Sequence, residues 1–339
     1  KHHVVYLSNG LLHRRMLEKQ FCVRFHSASP HATPIEFMHA LRDNIIKARD
    51  HGVTAYDCKD REEVLLMPYG LFLGSDNPMQ ATQCSHGGLQ TNLFCRICMV
   101  GGTKEYKASE KGYAEIFQEC ALRQPEETAM HAQSHVSLSC DSGGTTKVKK
   151  AATNCGVRDH TIDFIVNPVL ELGKKLRKHD GGPVIPESTV KEQLAREQSK
   201  VSGGKDIGQM INPLLLRTPG INVHLDTPVE ILHTVLLGVV KYFWGQSVHV
   251  MSKSRCMHTF QARLASINKD SLNAPSLNAA YICHYTGSLI GRHFKSIAQV
   301  MPFLIYDILP SNLIKAWTSI GTLVVLLWHT SIEDIDQYL

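Results

Sequence analysis

No stretch of this sequence is apolar for long enough to cross a bilayer. Residues 231–244 and 320–328 are its most hydrophobic runs, and a membrane helix needs roughly 20 apolar residues. Neither end carries a targeting signal, so the expectation is a soluble chain with no membrane partner. A disulfide framework is missing too. Of the 10 cysteines, Cys22, Cys58, Cys120, Cys140, Cys155, Cys256 and Cys283 are scattered without the spacing of a stapled secreted domain, which points to a reducing, intracellular compartment. Strong charge of one sign is also absent. The 36 Lys+Arg against 31 Asp+Glu leave a formal charge of +5, which permits a nucleic-acid partner without requiring one. No internal repeat is found. What remains is ordinary globular composition, 43% hydrophobic and 20% charged over 339 residues, enough for two domains or one large decorated one.

Periodicity gives the first elements. Residues 3–7 read as a strand closed by Ser8-Asn9-Gly10, and Phe21-Cys22-Val23-Arg24-Phe25 alternates like a second, half-buried strand. Thr33-Pro34-Ile35-Glu36 is a capping box with proline at the first helical position. Met38, Leu41 and Ile45 form a stripe behind it and Gly52 suits the stop, so a helix is predicted over 34–50. After a hairpin arm at 53–56, residues 63–73 read as a buried strand interrupted by Pro68 and ending at Gly74-Ser75-Asp76. The order strand, strand, helix, strand matches a ribonuclease-H-like α/β core whose first strand would lie upstream of Lys1. Carboxylates at strand ends hold catalytic metals in such a core. The start without methionine and the close at 331–339 without a helix stop read as the ends of an internal piece of a longer protein.

Beyond the core, residues 137–157 are rich in Ser, Gly, Thr and Lys, and 178–208 are polar with glycine pairs at 181–182 and 203–204. Both are predicted to be loops. Between them 164–178 reads as a helix closing on Lys174, Arg177, Lys178 and His179. The last third is predicted as nearly all helix, at 228–244, around 260–267, at 288–309 with Pro302 inside, and at 313–328. The expected division is a partial core at 1–80, an insertion at 81–220 and a helical region at 221–339.

Four groups of residues carry chemistry. Cys84-x-His86 followed by Cys95-Arg96-Ile97-Cys98 supplies four ligands that suit a tetrahedral zinc ion in a closed, structural site. Asp76 is placed either to help hold Mg²⁺ or Mn²⁺ for phosphoryl transfer or to make an Asx turn before Pro78. Glu230 and His233 share a helix face, which suits catalysis. Thr227-Pro228-Val229-Glu230 equally reads as a capping box, and His233 as a satisfied core histidine. Arg292, His293 and Lys295, with Lys253, Arg255 and Arg263, form either a DNA phosphate-contacting surface or ordinary surface charge.

The segments LFLGSDNPMQATQCSHGGLQTNLFCRICMVGG (71–102), KHHVVYLSNGLLHRRMLEKQFCVRFHSASPH (1–31), LDTPVEILHTVLLGVVKYFWG (225–245) and GRHFKSIAQVMPFLIYDILP (291–310) resemble the CACTA-type transposases, in particular the Plavaka-like proteins of fungal mobile elements. The resemblance runs over nearly the whole chain. It implies a ribonuclease-H-like core in which Asp76 matches the second catalytic aspartate, with the Cys-His cluster in the insertion after it. It aligns Glu230-Ile231-Leu232-His233 with an Asp-x-x-His motif, Glu standing where Asp is expected. It further implies DNA as partner, Mg²⁺ or Mn²⁺ in the complete parent and nuclear localisation; a homo-oligomer is one open alternative for this chain. The family's first aspartate falls upstream of Lys1 and no third acid is placed before Leu339, so an incomplete catalytic set is expected here. The competing expectation is a non-catalytic, zinc-stabilised binding scaffold derived from such an element.

Overall fold

The computed structural model describes residues 3–178, 184–216, 220–268, 270 and 277–338. His179 and the glycine pair at 181–182, named above, lie outside these described residues. The chain is mixed α/β and forms two compact units, Lys1–Pro228 and Val229–Leu339.

The first unit opens with β1 (His3–Ser8) paired antiparallel to β2 (Val23–Ser29), His3 facing Ser29 and Ser8 facing Val23. The Pro34–His51 helix follows as the capping signals predict. Thr33 Oγ1 accepts from the Glu36 N–H while the Glu36 carboxylate accepts from the Thr33 N–H, and Gly52 closes the far end at φ 70°. β3 (Val53–Asp57) and β4 (Glu62–Leu66) make a second antiparallel pair. The two sheets are thus separate, each of two strands. The buried strand expected over 63–73 is corrected in two respects. Pairing ends at Leu66, before Pro68, which has no N–H to donate. Leu65, Met67, Tyr69, Leu71 and Phe72 are exposed, and burial begins at Leu73.

The two segments expected as loops are corrected as well. Residues 137–157 contain the end of the Pro125–Ser139 helix and the whole Gly144–Cys155 helix, while 178–208 contains the Glu187–Val201 helix. Polar composition misleads here because both helices need only narrow contact faces. Glu187–Val201 buries Val190 and Leu194 against Val169 of the Asp163–Arg177 helix. Met38 and Leu73 share one apolar cluster with Val136, Ile165, Ile211 and Val223, so residues on both sides of position 80 build a single core.

The second unit is helical, as expected. Trp244, Phe260, Phe294, Ile297, Met301 and Trp317 fill its centre, drawn from the Lys241–Lys253, Met257–Ser266, Gly291–Ile305 and Ser311–Leu327 helices. One element departs from the α-helix predicted over 228–244: Leu232–Val240 is a π-helix. Its wider turn places the His233 carbonyl over Gly238, where a Cβ would lie 2.9 Å from that oxygen, so glycine permits the approach.

Two buried polar centres discipline these cores. In the first unit Asn212 donates to the Gln83 carbonyl at 2.7 Å and to Ser85 Oγ at 2.9 Å. Its own N–H donates to Asp159 at 2.8 Å. In the second, Trp317 Nε1 donates to Ser247 Oγ at 2.8 Å, and Ser247 donates to the Phe243 carbonyl. Ser247→Ala leaves the buried indole N–H without its acceptor. Urea unfolding should show a loss of about 1–3 kcal/mol, whereas an unchanged midpoint would mean that water or another acceptor reaches the indole.

Candidate metal and nucleic-acid sites

Asp76 is the N-cap of the Asn77–Gln83 helix, its Oδ1 accepting from the Met79 N–H at 2.9 Å. The carboxylate is exposed, directly after an extended segment whose Leu73 N–H donates to the Asp226 carbonyl at 2.7 Å. From the same helix Gln80 Nε2 donates to the Pro228 carbonyl at 2.6 Å. Arg96 reaches the neighbouring Thr227 carbonyl at 3.2 Å. Gln80 Oε1 and Arg96 Nε are buried without a hydrogen-bond partner among the described residues.

The four expected zinc ligands divide into two pairs. Cys84 is buried and its thiol donates to the Val223 carbonyl at 3.1 Å, with Thr227 Oγ1 at 3.5 Å. Burial raises its pKa, partly opposed by the Thr227 contact. His86 has both ring nitrogens committed. A carbonyl can only accept, so Nε2 carries the proton it donates to Leu93 O at 3.0 Å, leaving Nδ1 to accept from the Gly88 N–H at 3.0 Å. Cys95 and Cys98 are half-buried on the C-x-x-C turn, where the Ile97 N–H points at Cys95 Sγ at 3.4 Å. Burial raises the Cys98 pKa, the Val100 N–H opposes the rise, and Cys95 and Cys120 add to it. Among the described residues no group of three or more His, Cys, Asp or Glu side chains is gathered around a common point for a metal.

The turn is fixed from outside by residues the motif did not reveal. Arg123 is buried, 3% exposed, and its guanidinium donates to three carbonyls: Cys95 at 2.7 Å, Leu93 at 2.9 Å and Cys155 at 3.1 Å. Leu93 O also accepts from His86 and Thr91, so one carbonyl gathers three donors. The far side of the turn is held by His224, whose Nδ1 donates to Arg96 O at 2.9 Å while Nε2 accepts from Thr128 Oγ1 at 2.9 Å. Gly101, at φ 143°, lets the chain leaving the turn approach, since a Cβ there would fall 2.0 Å from Asn92 O. A lone Arg before Gln124-Pro125 carries no local pattern, so the sequence offers no signal for Arg123.

In the second unit Glu230 acts as a cap, but forward. Both carboxylate oxygens accept from the His233 N–H, at 3.0 and 2.8 Å, and Oε1 lies 2.8 Å from His233 Nδ1. Thr227, the other half of the expected capping box, instead gives its hydroxyl to the Val223 carbonyl at 3.1 Å. His233 is exposed, so the core reading of this histidine is not what the fold uses. Of the candidate DNA contacts, Arg292 is exposed, His293 Nδ1 accepts from the Ile290 N–H at 3.1 Å, and Lys295 lies over the Trp328 ring at 4.9 Å. The Arg263 guanidinium is paired with Asp307. The turn around Asp76 and the Glu230–His233 pair belong to different units.

No family model, curated protein or solved structure matches the chain. Among the described residues no helix is long and apolar enough to cross a membrane.

Burial lowers the pKa of both His86 and His224 from 6.5 to about 4, against the favourable pull of their carbonyl acceptors. Each buried neutral ring therefore contributes stability that is full above pH 6.5 and is lost as pH falls toward 4, about 3 kcal/mol per histidine. Asp159 works in the opposite sense, since burial raises its pKa and acid relieves the cost of its charge. The first unit should lose stability between pH 6.5 and 4, with His135 and His39, whose pKa values burial also lowers, acting in the same direction, and His224→Gln should flatten part of that dependence. Denaturant midpoints measured across this range test it, and an unaltered slope in the variant would refute the assignment.

Proposed function

We propose that the chain is part of a transposase-like DNA strand-transfer protein, in which Asp76 is one carboxylate of a Mg²⁺ or Mn²⁺ site. On this reading its first unit carries the ribonuclease-H-like portion. The observation that carries the reading is the setting of Asp76: an exposed carboxylate, fixed at a helix start by its own bond to Met79, at the end of an extended segment anchored on Asp226. A metal-dependent phosphoryl transferase needs a carboxylate held at the surface in this way, because the ions stabilise both the attacking and the leaving oxygen. Asp76 supplies one ligand. Glu230 and His233 are the further catalytic candidates of the reading, and the remaining acids would come from other parts of the complete protein. By itself the chain is expected to bind DNA without cutting it, and to work in the nucleus.

Zinc is the second metal of this proposal, held by the turn that carries Cys95 and Cys98, with Cys84 and His86 the other candidate ligands. The donor chemistry suits it: two thiols on one turn with an N–H directed at the first sulfur. A second reading, a non-catalytic zinc-stabilised scaffold, is favoured by one observation. Both Glu230 oxygens are already engaged with His233, which leaves the acid acting as a cap.

Asp76→Asn separates these readings, because Asn caps a helix about as well as Asp and so leaves stability within about 0.5 kcal/mol. Paramagnetic Mn²⁺ should broaden the amide resonances at 76–79 in the wild type and spare them in the variant. Equal broadening in wild type and variant would remove Asp76 from the metal site. In parallel, Arg292→Ala should lower the slope of log affinity against log salt for duplex DNA by about 1. A chain that binds no DNA at low salt would remove DNA as its partner and favour a protein-binding scaffold.

A further inference from the structure

We propose that Cys95, Cys98 and Cys120 form a three-thiolate site for a thiophilic divalent ion such as zinc, with the Arg123 guanidinium as its balancing charge. This rests on the zinc reading above and changes its ligands: Cys120 enters, while Cys84 and His86 are structural.

The backbone brings Cys120 to the turn. The Met99 N–H donates to Ala121 O at 2.8 Å and the Arg123 N–H donates to Ile97 O at 2.9 Å, with Cys98 bridged antiparallel to Leu122. Continued two residues past the Cys98–Leu122 bridge, this register would set residue 100 opposite 120 and make Cys98 and Cys120 diagonal neighbours on one face. Diagonal residues lie roughly 7–8 Å apart, a span that two thiolates bridge across an ion with bonds of about 2.3 Å each. All three cysteines are half-buried, so an ion can reach them. Closing the set asks for side-chain rotation on a backbone that is already paired.

Charge is the second, independent observation. A guanidinium at 3% exposure is costly to bury, and Arg123 is held by carbonyls while the groups that can set negative charge beside it are Cys155, Cys95, Cys98 and Cys84. Binding a divalent ion to three thiols releases three protons to solvent and leaves a site of net charge −1. Arg123 would neutralise it. Its bond to Cys95 O ties that cation to the turn itself. Cys84 and His86 are poor ligands by the same accounting of atoms: the thiol is donated to Val223 O, and both imidazole nitrogens serve the backbone that shapes the turn.

The test uses the whole chain loaded with Zn²⁺, then with Co²⁺ as a spectroscopic substitute. Wild type should hold about one ion per chain, and bound zinc should protect Cys95, Cys98 and Cys120, but not exposed Cys58, from alkylation read by peptide mass spectrometry. Cys120→Ser should lose about a third of the thiolate-to-cobalt charge-transfer intensity and at least tenfold in affinity. His86→Gln should retain the full band. Alkylation of Cys120 undiminished by zinc, or an intact band in Cys120→Ser, would overturn the ligand set while leaving zinc in place. A folded wild type that takes up neither ion would sink the zinc reading itself. The protection pattern is read on the wild type, so the proposal stays testable if a variant fails to fold.

Discussion

A single buried cation organises the part of this protein that carries the most chemistry. Arg123 draws the carbonyls of Leu93, Cys95 and Cys155 onto one planar group, from segments separated by up to 62 residues if counted from Leu93 to Cys155. The Cys95 and Cys155 carbonyls would otherwise need partners of their own, and one guanidinium fork answers both while adding a third donor at Leu93 O. The cost is a desolvated charge, which burial acts to weaken. Such an arrangement persists only when its surroundings are tightly held. His86, Thr91 and Gly101 around Leu93 and Asn92, and His224 behind Arg96, supply that constraint.

The same economy explains why the histidines here are neutral. His86 and His224 each place one nitrogen on a carbonyl and turn the other to an N–H or a hydroxyl, so a second proton would strand a donor against a donor or break a bond. Their role is to hold the C-x-x-C turn and the Asn222–Thr227 stretch together. Asp159 and Asn212 do the equivalent work deeper in the unit, linking the Ser85 region to the entry of the Pro213–Leu215 turn. In the second unit the polar demand is smaller, met by Ser247 between Trp317 and Phe243, and apolar packing dominates.

How far the fold could be read depended on how local its causes were. The Pro34–His51 helix was legible because its capping box, proline and terminal glycine act within a few residues. The helices of the second unit were legible from apolar stripes dense enough to survive errors at their ends. Gly144–Cys155 and Glu187–Val201 were not, because a helix that buries one or two residues looks like solvated chain when scored by composition. The exposed face of β4 and the chain after it was missed for the converse reason: the apolar run 63–73 is read as buried, yet β4 pairs with the β3 hairpin arm and exposes much of its apolar surface. The π-turns after Ile231 need Gly238 to meet a carbonyl five residues earlier, a contact no helical periodicity announces.

The candidate site shows the same boundary. Sequence by itself marked Cys95 and Cys98 as a turn able to present two thiols, and Asp76 as an acid at the end of an extended segment, because those are properties of spacing. Tertiary structure alone decided that Cys84 and His86 spend their polar atoms inside the core, that Cys98 bridges to Leu122, two residues from Cys120, and that Arg123 is the charge beside the turn. The reason is physical. A cap or a stripe is settled among neighbours in the chain, whereas the partner of a buried polar atom is whichever group folding brings within about 3 Å, however far away it began.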